Sequence, residues 1–175
     1  MKKLILFLLF NFSLMANVKV ISSQIDFMAE GKPAFVKANG SVLLKNTNLV
    51  IKDKIISGKI EIDLNSLNSG IELRDEHLKN KYLMTTQYPI ATLTLKNKQM
   101  LSFNDEEQVI KGHLNFHGKS RDVNIVTKFK NQGSQFISNG KFELKLSDFG
   151  VDLPSFQGIT AADKVTIKTK LLLEI

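Results

Sequence analysis

From Asn17 to the end of the chain the dominant signal is an alternation of apolar and polar side chains with period two. That period turns one face of a β-strand to a core and the other to water. Ile60, Ile62 and Leu64 alternate with Lys59, Glu61 and Asp63, and Ala91, Leu93 and Leu95 alternate with Thr92, Thr94 and Lys96. Leu114 and Phe116 alternate with His113, Asn115 and His117. Val123, Ile125, Thr127 and Phe129 alternate with Asn124, Val126 and Lys128. Phe142, Leu144 and Leu146 alternate with Lys141, Glu143 and Lys145, and the last run sets Val165, Ile167, Thr169 and Leu171 against Thr166, Lys168 and Lys170. Turn-forming clusters separate the runs: Lys52-Asp53-Lys54, Asn104-Asp105, Gly118-Lys119-Ser120, Asn131-Gln132-Gly133 and Asn139-Gly140. Strands joined this closely predict an antiparallel meander with one wet face, and closing it into a barrel would remove its edges.

Two stretches break the alternation. Ser69 to Asn80 is rich in helix formers after a Ser-Gly start, which predicts a short helix over roughly Glu72–Asn80, followed by a turn at Tyr88-Pro89. Ser147 to Asp163, with Phe149, Pro154, Phe156 and Gly158, reads as irregular. Both carry apolar residues suited to covering the ends of a barrel.

The first sixteen residues obey a different rule. Met1-Lys2-Lys3 is a basic head, Leu4 to Phe10 an unbroken apolar run, and Phe12, Leu14 and Met15 carry it to Ala16. A membrane-spanning helix needs about 20 apolar residues, so the segment reads as a secretory leader cut after Ala16. The expected organisation is a signal peptide over residues 1–16 and one barrel domain over 17–175, in the periplasm.

Composition narrows the function. Cysteine and tryptophan are absent, which removes disulfides, thiolate nucleophiles and Cys-based metal sites. The net charge of +7 falls to +5 without Lys2 and Lys3. Of the 24 basic residues only Arg74 and Arg121 are arginine, so the chain lacks the bidentate donors that nucleic-acid surfaces favour. The lysine excess suits at most a loose attraction to anionic lipid head groups. His113 and His117 stand four residues apart on a strand, about 13 Å, too far to ligate one ion, and no metal site is expected. Neither a Gly-x-Ser-x-Gly elbow, nor a phosphate-cradling glycine loop, nor a His-Glu-x-x-His sequence is present, and the chain reads as a binding protein without a catalytic residue.

Four blocks resemble the YceI-like family. Ser69-Gly70-Ile71-Glu72-Leu73-Arg74-Asp75-Glu76-His77-Leu78 is similar to its Gly then Arg-Asp-x-His-Leu motif, and Tyr88-Pro89-Ile90-Ala91 to its Tyr-Pro-x-Ala step. Gly112-His113-Leu114-Asn115-Phe116-His117-Gly118 resembles its Gly-x-Leu-x-x-His-Gly hairpin, and Leu146-Ser147-Asp148-Phe149-Gly150-Val151 its Leu-Ser-Asp-Phe-Gly-Ile segment. The segment Ser22 to Lys54, with its first turn at Gly31-Lys32-Pro33, is less like the family. The resemblance implies an all-β, lipocalin-like antiparallel barrel of about eight strands. It also implies an apolar tunnel holding an isoprenoid, an isoprenoid quinone or a fatty amide, with no other cofactor, and a homodimer.

The residues expected in the lumen are Leu114, Phe116, Ile125, Phe129, Phe142 and Leu144, with Phe149 and Phe156 from the irregular stretch. Phenylalanine gives an apolar wall without a polar handle, as a hydrocarbon tail requires. Arg74, His77 and Arg121 are the candidates for a polar head group. The alternative is a ligand-free structural or interaction barrel, with Phe116, Phe129 and Phe142 filling the lumen.

Overall fold

A computed structural model describes residues 15–32, 37–96, 100–156 and 159–174. Its strands are β1 (Met15–Asn17), β2 (Lys19–Lys32), β3 (Lys37–Thr47), β4 (Val50–Lys52), β5 (Ile55–Asn68), β6 (Ile90–Lys96), β7 (Gln108–Phe116), β8 (Lys119–Gln132), β9 (Gln135–Lys145), β10 (Ser155–Phe156) and β11 (Ile159–Glu174). Eight of them close a ring in the order β5-β3-β2-β11-β9-β8-β7-β6, with β6 pairing back onto β5. Every pairing is antiparallel. The three short strands hang outside the ring: β4 and then β1 extend beyond β5, and β10 folds back on β11. The expected eight-stranded barrel is thus what the chain adopts.

Tight turns set the register. Asp53 and Lys54 (φ 51° and 63°) and His117 and Gly118 (φ 51° and 72°) are left-handed pairs, the backbone that a two-residue hairpin needs to match strand twist. At Gly118 the ring of Tyr88 also lies 2.8 Å from where a Cβ would stand.

The expected turn at Asn139-Gly140 is not one. Both residues lie inside β9, with Gly140 opposite Thr127 on one side and Thr169 on the other. Gly140 is explained by space, because a Cβ there would come within 2.6 Å of Thr169 Oγ1. The turn that precedes β9 contains Gly133 instead. The stretch from Ser147 to Asp163 is also more regular than expected. Ser155 pairs with Thr160 and Phe156 with Ile159, and β11 runs on through a register shift between Ala161 and Val165. That bulge carries Ala161-Ala162-Asp163-Lys164, where alternation is lost and the strand is hidden from the sequence.

The helix α1 (Glu72–His77) is shorter than expected and continues as one wider turn, Leu78–Tyr82, closed by Leu83 N–H on the Leu78 carbonyl at 2.8 Å. Its start is tied to β5 by Asp75, whose carboxylate accepts the Ser69 N–H at 2.9 and 3.1 Å and also bonds the Ser69 hydroxyl.

Inside, the barrel has two unlike halves. At the end holding the β8–β9 hairpin, Phe103, Phe129 and Phe136 form a triangle with ring centroids 5.4 to 5.8 Å apart. Phe129 and Leu173 there are 1 % exposed, and Leu49 and Ile56 are 2 % exposed. Toward the other end, where α1 and β10 lie, Phe27, Phe142, Leu144 and Ile167 face inward but are only partly buried.

An apolar cavity at the open end of the barrel

The partly buried residues surround a cavity of about 280 Å³, near the lower edge of what small-molecule sites occupy. Its walls come from alternate positions of neighbouring strands: Ile25, Phe27 and Ala29 on β2, Phe142 and Leu144 on β9, Val165 and Ile167 on β11. Cross-strand register holds them level, since Ile167 stands opposite both Phe27 and Phe142, and Val165 opposite both Ala29 and Leu144.

Polar atoms collect at the mouth. Arg74 and His77 of α1 line the cavity, together with Glu30 of β2 and Ser155 of β10. Arg74 Nε donates to Ser69 Oγ at 2.8 Å and its Nη2 to the Ser69 carbonyl at 2.7 Å, which fixes the plane of the guanidinium. Tyr82 fastens the wide turn to β10: its hydroxyl donates to the Ser155 carbonyl at 3.2 Å and accepts the Ser155 N–H at 3.0 Å. That backbone bond holds the phenol pKa below its ordinary 10.0, against the opposing effect of burial. A second clasp joins β9 to β11. The Asp163 carboxylate accepts the Ser147 hydroxyl at 2.7 Å and the Ser147 N–H at 2.8 Å, which lowers its pKa from the ordinary 3.8.

Of the residues expected in the lumen, Leu114, Phe116, Phe142 and Leu144 line the cavity, as do Arg74 and His77. Phe129 points inward but belongs to the aromatic triangle at the closed end. Ile125 is buried below the cavity floor rather than on its wall. Phe149 is 1 % exposed and lies behind the cavity lining, edge-on to Phe116 at 5.4 Å. Arg121 is exposed, donates to the Ser120 carbonyl at 2.8 Å and lies away from the cavity. Phe156 sits on β10, and its side chain falls outside the described residues. His113 lies outside the barrel against Asp122 at 2.8 Å, whereas His117 packs on Tyr88 with its Nδ1 3.2 Å from the Phe149 carbonyl. The β2 and β3 wall and Tyr82 went unnoticed in the sequence, where Ile62 and Leu64 of β5 show as an apolar strand face without being placed in the lumen. Ile25-x-Phe27-x-Ala29 carries the period-two signal, but Met28 on the outer face blurs it.

The model of the YceI-like domain matches residues 17–173. The chain belongs to the YceI-like family. A UPF0312 protein of Vibrio cholerae serotype O1 is 24 % identical over 131 residues, a match covering 70 % of this chain and 65 % of that protein's length. Among the solved structures that share the barrel are these three. BcnA of Burkholderia cenocepacia has a TM-score of 0.68 at 20 % identity, over 89 % of this chain and 98 % of that one. A polyisoprenoid binding domain from Saccharophagus degradans has 0.67 at 16 %, over 93 % and 98 %. The YCEI protein of Campylobacter jejuni has 0.59 at 14 %, over 89 % and 82 %. This YceI-like barrel therefore has a settled fold, and its cavity is the feature from which function follows.

Proposed function

We propose that this protein is an exported carrier or buffer that sequesters an apolar amphiphile of the isoprenoid, isoprenoid-quinone or fatty-amide class, without covalent chemistry. The observation that carries the reading is the cavity itself: an unfilled, almost wholly apolar space inside an otherwise packed barrel, with its polar groups at the mouth. Burial of apolar surface at roughly 25 cal/mol per Å² supplies the affinity. Phe116, Phe142, Leu114 and Leu144 hold the tail, while Arg74, oriented by Ser69, and His77 meet the head group. The Saccharophagus degradans neighbour, described as a polyisoprenoid binding domain, supports the ligand class.

Export through a leader over residues 1–16 completes the proposal and puts the barrel in the periplasm. Residues 1–14 lie outside the described structure. Cleavage after Ala16 would take most of β1, which pairs with β4 outside the closed ring, so the barrel survives the cut. The filled-barrel alternative accounts for the half around Phe129 and leaves the cavity unexplained.

The test is organic extraction of the protein purified from its native cell envelope, followed by mass spectrometry. One apolar compound per chain is expected. Repeated recovery of none, together with a melting temperature unmoved by quinones or fatty amides, would overturn the carrier reading.

A further inference from the structure

We propose that the cavity is a blind socket, closed beneath by a layer that holds Ile125 and Leu93, and that it admits roughly a dozen carbons of a staggered apolar chain. A longer tail keeps its remainder outside the mouth. This rests on the carrier reading and adds the length class of the ligand.

Along β2 the cavity wall runs from Gly31 to Ile25 and stops. Those six residue steps span roughly 20 Å of strand, or about 15 Å along the axis of a tilted barrel. The next inward positions below Leu114, Ile167 and Phe142 are Gly112, Thr169 and Gly140, and none of them borders the space. Gly112 and Gly140, on the two strands that flank β8, would be expected to leave gaps. Here they do the opposite, because larger neighbours lean over them. A Cβ on Gly112 would stand 2.6 Å from Leu93 Cδ1 and 3.5 Å from Ile125 Cδ1. On Gly140 it would stand 2.6 Å from Thr169 Oγ1 and 3.3 Å from Ile125 Cγ2. Ile125 therefore reaches the empty side-chain positions on both flanking strands, β7 and β9, and with Leu93 and Thr169 fills the cross-section.

Beneath this layer, among the described residues, polar and aromatic side chains occupy the lumen. Thr127 and Ser138 place their hydroxyls 3.3 Å apart in the wall, and Thr127 also donates to the Asn139 carbonyl at 3.0 Å. The Phe103–Phe129–Phe136 triangle packs the space behind them. A chain entering at α1 meets an end, not a tunnel, and the length at which affinity stops rising is set by the floor.

The experiment titrates the full mature chain with primary amides of straight-chain fatty acids, from about six to about twenty carbons, by calorimetry. Affinity should rise about fourfold with each added methylene. The rise should stop near a dozen carbons and stay level beyond. Ile125→Ala should move the break to chains two or three carbons longer. Ile125→Val, a milder change should the alanine variant fail to fold, should move it by about one carbon. An affinity that climbs unbroken to the longest amide, or a break that stays in place in a folded Ile125 variant, would overturn the socket. Failure to bind any amide or quinone of any length would overturn the carrier reading itself, and the socket with it.

Discussion

The two halves of this barrel are built from the same strands and nearly the same residue types, yet they solve different problems. In the closed half, phenylalanines from β8, β9 and the β6–β7 connection pack ring against ring, and Phe129 keeps 1 % of its surface exposed. In the open half, Phe27 and Phe142 face each other's strands across Ile167 and leave about 280 Å³ unfilled. Packing of the first kind provides stability, because each buried ring contributes transfer and dispersion energy. Incomplete packing of the second kind gives part of that up and keeps room for something else. Identical chemistry, an inward Phe on a barrel strand, thus fills the core or borders a cavity according to whether other rings reach it.

The comparison breaks most sharply under truncation. Phe129→Ala should lose about 3–5 kcal/mol of unfolding free energy, the range for a large buried ring. Phe142→Ala, at a partly buried ring on the cavity wall, should lose only about 1 kcal/mol. Ligand-induced stabilisation should follow the reverse order, lost in Phe142→Ala and retained in folded Phe129→Ala. Urea denaturation with and without a saturating fatty amide reads both, and equal losses at the two sites would erase the distinction.

A smaller effect tests the mouth. Tyr82→Phe removes the hydroxyl that both donates to and accepts from Ser155, and should cost about 1–2 kcal/mol. Hydrogen exchange at the Ser155 amide should accelerate while amides of the closed half, such as that of Phe129, stay protected. Uniform acceleration would mean that the mouth and the closed half open together.

The smallest effect is conditional on pH. The Asp163 carboxyl is held below its ordinary 3.8 by its Ser147 bonds, so the folded state favours the ionised form. Its contribution to stability is present in full above that value and fades as pH falls through the lowered folded-state pKa. Asp163→Asn should therefore be destabilised relative to the parent at neutral pH, with the difference shrinking in acid below 3.8. Melting curves from neutral to acid pH check this, and a pH-independent difference would assign the loss to packing.

Much of this architecture was legible beforehand, for a physical reason. Alternation reports which face of a strand is buried, so Leu114, Phe116, Phe142 and Leu144 could be placed inside before any coordinates. It does not report height along the barrel axis. Phe129 and Phe142 carry the same periodic signature, yet the register puts one among rings and the other beside empty space. Ile125 likewise reads as a lumen residue but lies beneath the cavity, where Gly112 and Gly140 on the flanking strands let it lean across. Gly140 after Asn139 looked like a turn because local chemistry cannot reveal that Thr169 crowds the position. Arg74 and Arg121 stood out equally as rare arginines, and only the fold separates a mouth residue from a surface one.

The central claim, that the open half holds an apolar molecule, is tested most directly by native mass spectrometry of the chain released from its own cell envelope. Three proteins are compared: the parent, Phe142→Asp, which puts a charge into the cavity wall, and Lys141→Asp, which makes a charge change on the outer face one residue away. The account predicts one apolar adduct per chain in the parent and in Lys141→Asp, and none in folded Phe142→Asp. An adduct retained in Phe142→Asp, or absent from the parent, would contradict it.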